Sequence, residues 1–161
     1  MRILHGYKPA AGQPWSNVKT QKDLGYDSKC VLASIENRFN TKADIHLKLS
    51  AEPQKDLAKF LSDTIDQFDV YHIYSRPFFA MHSQRIIFPH ALDLLSLRAR
   101  GKVIIFHFRG SEIRMPSLFK EKNPYHYVDE NPDGLFTAKS EQFMKTNLDF
   151  IQSVCNAVYV P

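Results

Sequence analysis

Five short apolar runs are spaced along this chain, and stretches with helical periodicity fill the gaps between them. The runs are residues 3–5, 29–33 (KCVLA), 68–74 (FDVYHIY), 102–108 (KVIIFHF) and 157–160 (AVYV). Each is almost continuously apolar, as expected of strands covered on both faces. Leu57, Leu61, Ile65 and Phe68 form a helical stripe behind Pro53, a residue suited to a first helical turn. Leu92, Leu95 and Ala99 form a second after Pro89, with Arg98 and Arg100 in the last turn and Gly101 as the stop. Met144, Leu148, Ile151 and Cys155 form a third, and a shorter helix over residues 15–24 closes at Gly25. The order β-α-β-α-β-α-β-α-β predicts right-handed crossovers and a parallel sheet with helices on both faces. The expected fold is therefore α/β, a Rossmann-like doubly wound sheet of about five strands, in a single domain over residues 1–161.

Charge and cysteine usage narrow the partners. The chain carries 21 Lys and Arg against 17 Asp and Glu, a net charge of +4, which is no nucleic-acid footprint. Residues 98–122 hold seven basic side chains against Glu112 and Glu121, so the whole excess lies there. Such a run reads first as a solvated face, and second as an electropositive wall near a phosphate-bearing ligand. No run approaches the ~20 apolar residues of a membrane span, and the N-terminus lacks the apolar core of a signal peptide. Cys30 and Cys155 lie inside apolar segments and read as buried thiols of a reducing compartment. Residues 109–140 contain Pro116, Pro124 and Pro132 and read as an irregular excursion. Its aromatics Phe119, Tyr125, Tyr127 and Phe136 read first as a satellite core, then as acceptor-binding or membrane-facing groups.

In an open parallel sheet, ligands bind beyond the carboxyl ends of the strands, where strand order reverses. Three segments are expected there. Residues 5–14 (HGYKPAAGQP) run into the first helix, and Gly12 and Gln13 offer close backbone approach and a helix N-terminus that favours an anion. The segment lacks G-x-G-x-x-G and a P-loop lysine, so a plain strand–helix turn is an equal reading. The third run leads into Ser75 and Arg76, the latter either a convergent cation or a surface arginine. The fourth ends His107-Phe108-Arg109-Gly110-Ser111-Glu112-Ile113-Arg114. While the strand stays extended, His107 and Arg109 share a face, and Arg109 offers a planar fork for phosphate or carboxylate. The plainer alternatives are a sheet-end histidine and an Arg109–Glu112 ion pair. His72 reads as packed within the sheet. No Cys/His spacing suits zinc, no G-x-S-x-G elbow is present, and no Asp-x-Asp pair exists for a metal–diphosphate.

The order of these motifs resembles the N-terminal half of a GT-B glycosyltransferase, and is most similar to the retaining family-4 group. The matching residues are Gly12; Gly25 and Tyr26; Asp69, His72 and Ser75; and Gly110, Ser111 and Glu112. Where many relatives place a histidine before Gly-Ser-Asp, this chain has Arg109, with His107 two residues earlier. A single glycine, Gly12, stands where relatives often have two. The resemblance implies transfer of a sugar from a nucleotide-sugar substrate to a sugar or glycan-lipid acceptor with retention, without a bound metal or other cofactor. It implies catalytic roles for His107 and Arg109, a donor-phosphate loop at Gly12 and Gln13, and acceptor contacts from Ser75, Arg76, Gly110, Ser111 and Arg114. It also implies a second, C-terminal nucleotide-sugar domain with an E-x7-E pair. No Glu pair here has that spacing, so the chain is expected to be half of such an enzyme and inactive by itself. A cytoplasmic location, with room for a peripheral contact at the membrane's cytoplasmic face and no nucleic-acid partner, goes with that reading. The alternatives are a stand-alone, non-catalytic ligand-binding module and an interaction domain.

Overall fold

A computed structural model describes residues 1–7, 10–34, 40–74, 92–110, 113, 115–123 and 138–160. Along the chain run β1 (Arg2–Gly6), a 3-10 turn (Ala10–Gly12), α1 (Gln13–Asp23), β2 (Asp27–Ser34) and β3 (Ile45–Lys48). There follow α2 (Pro53–Thr64), β4 (Val70–Tyr74), α3 (Leu92–Ala99), β5 (Val103–His107), α4 (Pro116–Lys122), α5 (Ala138–Val154) and β6 (Ala157–Tyr159). The strands form one parallel sheet in the order β3-β2-β1-β4-β5-β6. This is the Rossmann-like doubly wound order, and it reverses between β1 and β4.

Two expectations from the sequence are corrected here. Among the described residues the sheet has six strands where about five were expected, because Ile45-His46-Leu47-Lys48 forms an edge strand. Its apolar residues are half-buried and its His and Lys exposed, so it alternates where a strand covered on both faces would be continuously apolar. The expected irregular excursion over residues 109–140 contains α4 and the first turn of α5. Pro116 opens α4, where a missing N–H costs nothing. Ser117 N and Oγ donate to the Glu141 carboxylate at 2.9 and 2.8 Å, which ties that turn to α5.

Strand alternation divides the sheet into two unlike faces. One carries Leu4, Val31, Tyr71, Ile73, Ile104 and Phe106, all buried. Leu57 and Leu61 of α2, Leu94 and Leu97 of α3, and Ile151 and Val154 of α5 pack into the same core. Each such side chain contributes roughly 1.5–3 kcal/mol by leaving water. Ile65 and Phe68 belong to this core although α2 ends at Thr64. Gly6 closes the β1–β2 contact, since a Cβ there would meet Val31 Cγ1 at 2.3 Å.

The opposite face is polar at its centre. It carries Ile3 and His5 of β1, Ser28 and Cys30 of β2, His72 and Tyr74 of β4, His107 of β5 and Tyr159 of β6. Helix α1 covers the β1–β2 part of it with Pro14 and Val18. A Schellman turn ends α1, with Tyr26 N donating to Gln21 O and Gly25 N to Lys22 O, both at 2.9 Å. Both cysteines are free; Cys30 is buried, whereas Cys155 is half-buried, short of the full burial its apolar stretch suggested. Burial pushes both thiols up to about 12, so neither is a reactive thiolate.

Candidate functional site

Reversal of strand order puts the carboxyl ends of β1 and β4 side by side, with the end of β5 next to them. Beyond β1 the chain passes through the 3-10 turn, where Ala11 and Gly12 both take left-handed conformations (φ 53° and 83°). Gly12 is the N-cap of α1, no side chain caps that end, and Pro14 follows. The first backbone N–H groups of α1 are thus presented without an internal acceptor, an arrangement that favours an anion. Nothing lies within 4 Å of where a Gly12 Cβ would be. The position therefore calls for glycine by its backbone conformation, with open space beside it.

At the end of β5, the strand stops at His107. Phe108 N still donates to Tyr159 O at 3.0 Å, so sheet-like pairing runs one residue further. Arg109, beyond it, is exposed, while His107 stays half-buried among aromatic rings. Gly110 is buried with φ 108°, a turn that a side chain would strain. Gly12, Gln13, His107, Arg109 and Gly110 thus all follow or end strands at one edge of the sheet. Ser75, Arg76, Ser111 and Arg114 lie outside the described residues, as does Glu112.

The basic stretch 98–122 does not form one wall. Arg100 Nη1 binds the Asp66 carboxylate at 2.9 and 3.0 Å, and Lys102 Nζ lies 4.0 Å from it, all near the amino ends of the strands. Arg109, Lys120 and Lys122 follow the carboxyl end of β5. The split arises because β5 runs between the two groups and carries them to opposite ends of the sheet. Asp69, one of the residues behind the resemblance, also sits at the amino edge. Its carboxylate accepts from Arg2 N at 2.7 Å and from the Arg2 guanidinium at 3.3 Å, which joins β1 to β4 and holds its pKa below the usual range.

Behind the rim lies a polar cluster that no site assignment from the sequence included. Ser28 Oγ donates to Gln21 Oε1 at 2.7 Å, and His5 Nε2 lies 2.8 Å from the same oxygen. An amide oxygen only accepts, so His5 carries its proton on Nε2 and leaves Nδ1 as an acceptor. Tyr74 OH donates to that Nδ1 at 3.1 Å, and the Tyr74 oxygen accepts from Asn17 Nδ2 at 2.7 Å. Tyr74 has one proton, and it is committed to His5. His72 Nδ1, 3.2 Å from the Tyr74 oxygen, must therefore be the donor of that pair. It follows that His72 Nε2 is a bare acceptor. That atom is buried with no hydrogen-bond partner among the described residues, and His72 is only 8% exposed.

Burial keeps these imidazoles neutral. It lowers the pKa of His5 against the opposing hydrogen bond to Gln21, and it lowers that of His107. For His72, burial and then the neighbouring His5 and His107 bring it down to about 3. The rings form a row across the sheet: His5–His72 at 4.9 Å, His72–His107 at 5.8 Å and His107–Tyr159 at 5.7 Å between centroids. The signal was present in the sequence, since His72 and Tyr74 share a face by alternation. What it could not reveal was that His5 and Asn17 meet them.

Among the described residues, no three His, Cys, Asp or Glu side chains are grouped to hold a metal ion, and no helix is long and apolar enough to cross a membrane. Compared with protein-family models, with curated proteins and with solved structures, the chain matches none.

Proposed function

We propose that this chain is the acceptor-side domain of a GT-B glycosyltransferase of the retaining family-4 kind, working at the cytoplasmic side with a nucleotide-sugar as donor. One observation carries the reading: the carboxyl ends of β1, β4 and β5 are adjacent where strand order reverses, and Gly12 and Gly110, two of the residues behind the resemblance, follow the first and last of them. The uncapped N-terminus of α1, entered through left-handed Gly12, suits the charge that develops on a departing diphosphate. Gly12 and Gln13 are the backbone contacts of that phosphate loop. Arg109, exposed at the end of β5, supplies a cation toward the reacting sugar, with half-buried, neutral His107 two residues behind it. Ser75, Arg76, Gly110, Ser111 and Arg114 complete the acceptor side. The donor's nucleotide belongs to a second domain, so the chain by itself transfers nothing.

The test is an amide NMR titration of the chain with UDP, GDP, their sugar conjugates and simple hexopyranosides. Shifts centred on Gly12, Gln13 and Gly110 are expected. A spectrum in which no probe moves these three refutes the reading. In the intact enzyme, Arg109→Ala or His107→Ala is expected to lower turnover by about 100-fold. Unchanged turnover in both removes those residues from the chemistry.

A further inference from the structure

We propose that the polar sheet face over β4, β5 and β6 is a seat for a neutral hydroxylated ring, one of whose hydroxyls donates a hydrogen bond to His72 Nε2. The inference rests on the acceptor-domain reading and names what lies deeper than its rim. Two independent observations carry it.

The first is the orphan acceptor. The hydrogen-bond chain from Gln21 through His5 and Tyr74 leaves His72 Nε2 without a proton and without a partner, in a side chain more than nine-tenths buried. Leaving a buried acceptor unmet is costly, so a donor arriving there gains more than one that meets an acceptor already bonded to water.

The second is exposure. Parallel sheets are ordinarily covered on both faces. On this face, however, Val103 is 40% exposed, Ile105 and His107 are half-buried, and Tyr159 is 55% exposed. The opposite side chains of β5, Ile104 and Phe106, are fully buried. Tyr159 and His107 thus form a half-open strip of rings beside buried His72, whose ring centroid lies 5.8 Å from that of His107 and 6.4 Å from that of Tyr159.

Chemistry selects the occupant. Among the described residues, β4, β5 and β6 carry no carboxylate on this face, so nothing there holds a cation. A bare nitrogen lone pair repels an anion, and the neutral imidazoles offer it no charge. A neutral ring is left, with an O–H for Nε2 and a flat C–H face for the rings of Tyr159 and His107. Sugars and cyclitols have both.

The test uses the chain as it stands, with methyl glucoside, methyl mannoside, myo-inositol, uridine and adenosine as probes. Long-range proton–nitrogen correlation is expected to find the His72 proton on Nδ1 before any probe is added; a proton on Nε2 overturns the proposal. A glycoside or inositol is expected to shift His72 Nε2 together with Tyr159. Tyr159→Ala, an exposed site whose loss leaves the fold intact, is expected to weaken that binding by about fivefold to tenfold, the size of one ring contact. Movement of Gly12 and Gly110 with His72 unchanged overturns the seat and leaves the acceptor-domain reading standing. Failure of every probe at His72 overturns the seat, and the acceptor-domain reading is then decided by the diphosphate titration alone. A response to the nucleosides alone overturns the choice of ligand.

Discussion

Acid should unfold this protein through its histidines before its carboxylates, and His72 is where the effect can be isolated. Its pKa falls from 6.5 to about 3 on folding, chiefly through burial. The unfolded chain therefore binds a proton that the native one refuses, and stability falls as pH drops through the interval between the two values. Above the unfolded value the contribution is complete. Each pH unit below it costs the fold about 1.4 kcal/mol, so at about pH 5 the loss from His72 alone is roughly 2 kcal/mol. His5 and His107, lowered for the same reason, add to it with the same sign. The assay is urea unfolding followed at a series of pH values, for the natural chain and for His72→Gln. Gln keeps a donor toward Tyr74 but cannot titrate. The variant is expected to be less stable near neutrality, yet its stability should fall less steeply, by about 1.4 kcal/mol per pH unit between about pH 6 and 4. Carboxylates such as Asp69 titrate alike in both chains and cancel in the difference. Parallel stability curves would refute the claim that His72 is held neutral by burial.

Other outcomes follow from the same geometry. Gly6→Ala and Gly12→Ala should differ in kind. The first drives a Cβ against Val31 in the sheet and should cost about 1–3 kcal/mol. The second meets open space and should cost only the strain of a left-handed alanine, about 1 kcal/mol. Both are read by thermal or urea unfolding, and equal losses would contradict the distinction. Tyr74→Phe removes the hydroxyl that joins Asn17, His5 and His72, and should destabilise by about 1–3 kcal/mol because buried groups lose their partner. Hydrogen exchange in α1 should rise in that variant, and unchanged protection would show that the cluster does not hold the helix. Phe106→Ala, in the opposite core, should cost about 3–5 kcal/mol by denaturant unfolding and leave the slope with pH unaltered.

Much of the architecture is legible in the residues themselves. Pro53 before a stripe at Leu57 and Leu61 marks α2, and Gly25 after Leu24 marks the Schellman turn of α1. These are local matters of backbone freedom and periodicity, fixed by neighbours in the chain. Apolar runs separated by such helices suffice for a parallel sheet, and the motif-bearing segments at Gly12 and Gly110 follow from it. The weakly alternating β3 went unread because its signal is two half-buried residues, Ile45 and Leu47, at an edge. Helix α4 went unread because it has only seven residues, beginning at a proline in a proline-rich stretch.

Tertiary structure alone decided what the polar groups do. His5 and Tyr74 are 69 positions apart, Asn17 and Tyr74 are 57 apart, and no pattern in the chain pairs them. The same holds for charge: seven cations in one stretch look like a patch, yet β5 separates Arg100 and Lys102, beside Asp66, from Arg109 at the far edge. Periodicity specifies which side of a strand a residue faces. Which other strand lies beside it, and so whether a histidine finds an amide oxygen, a tyrosine proton or nothing, depends on strand order. That order is set by the packing of the whole sheet and not by any one of its segments.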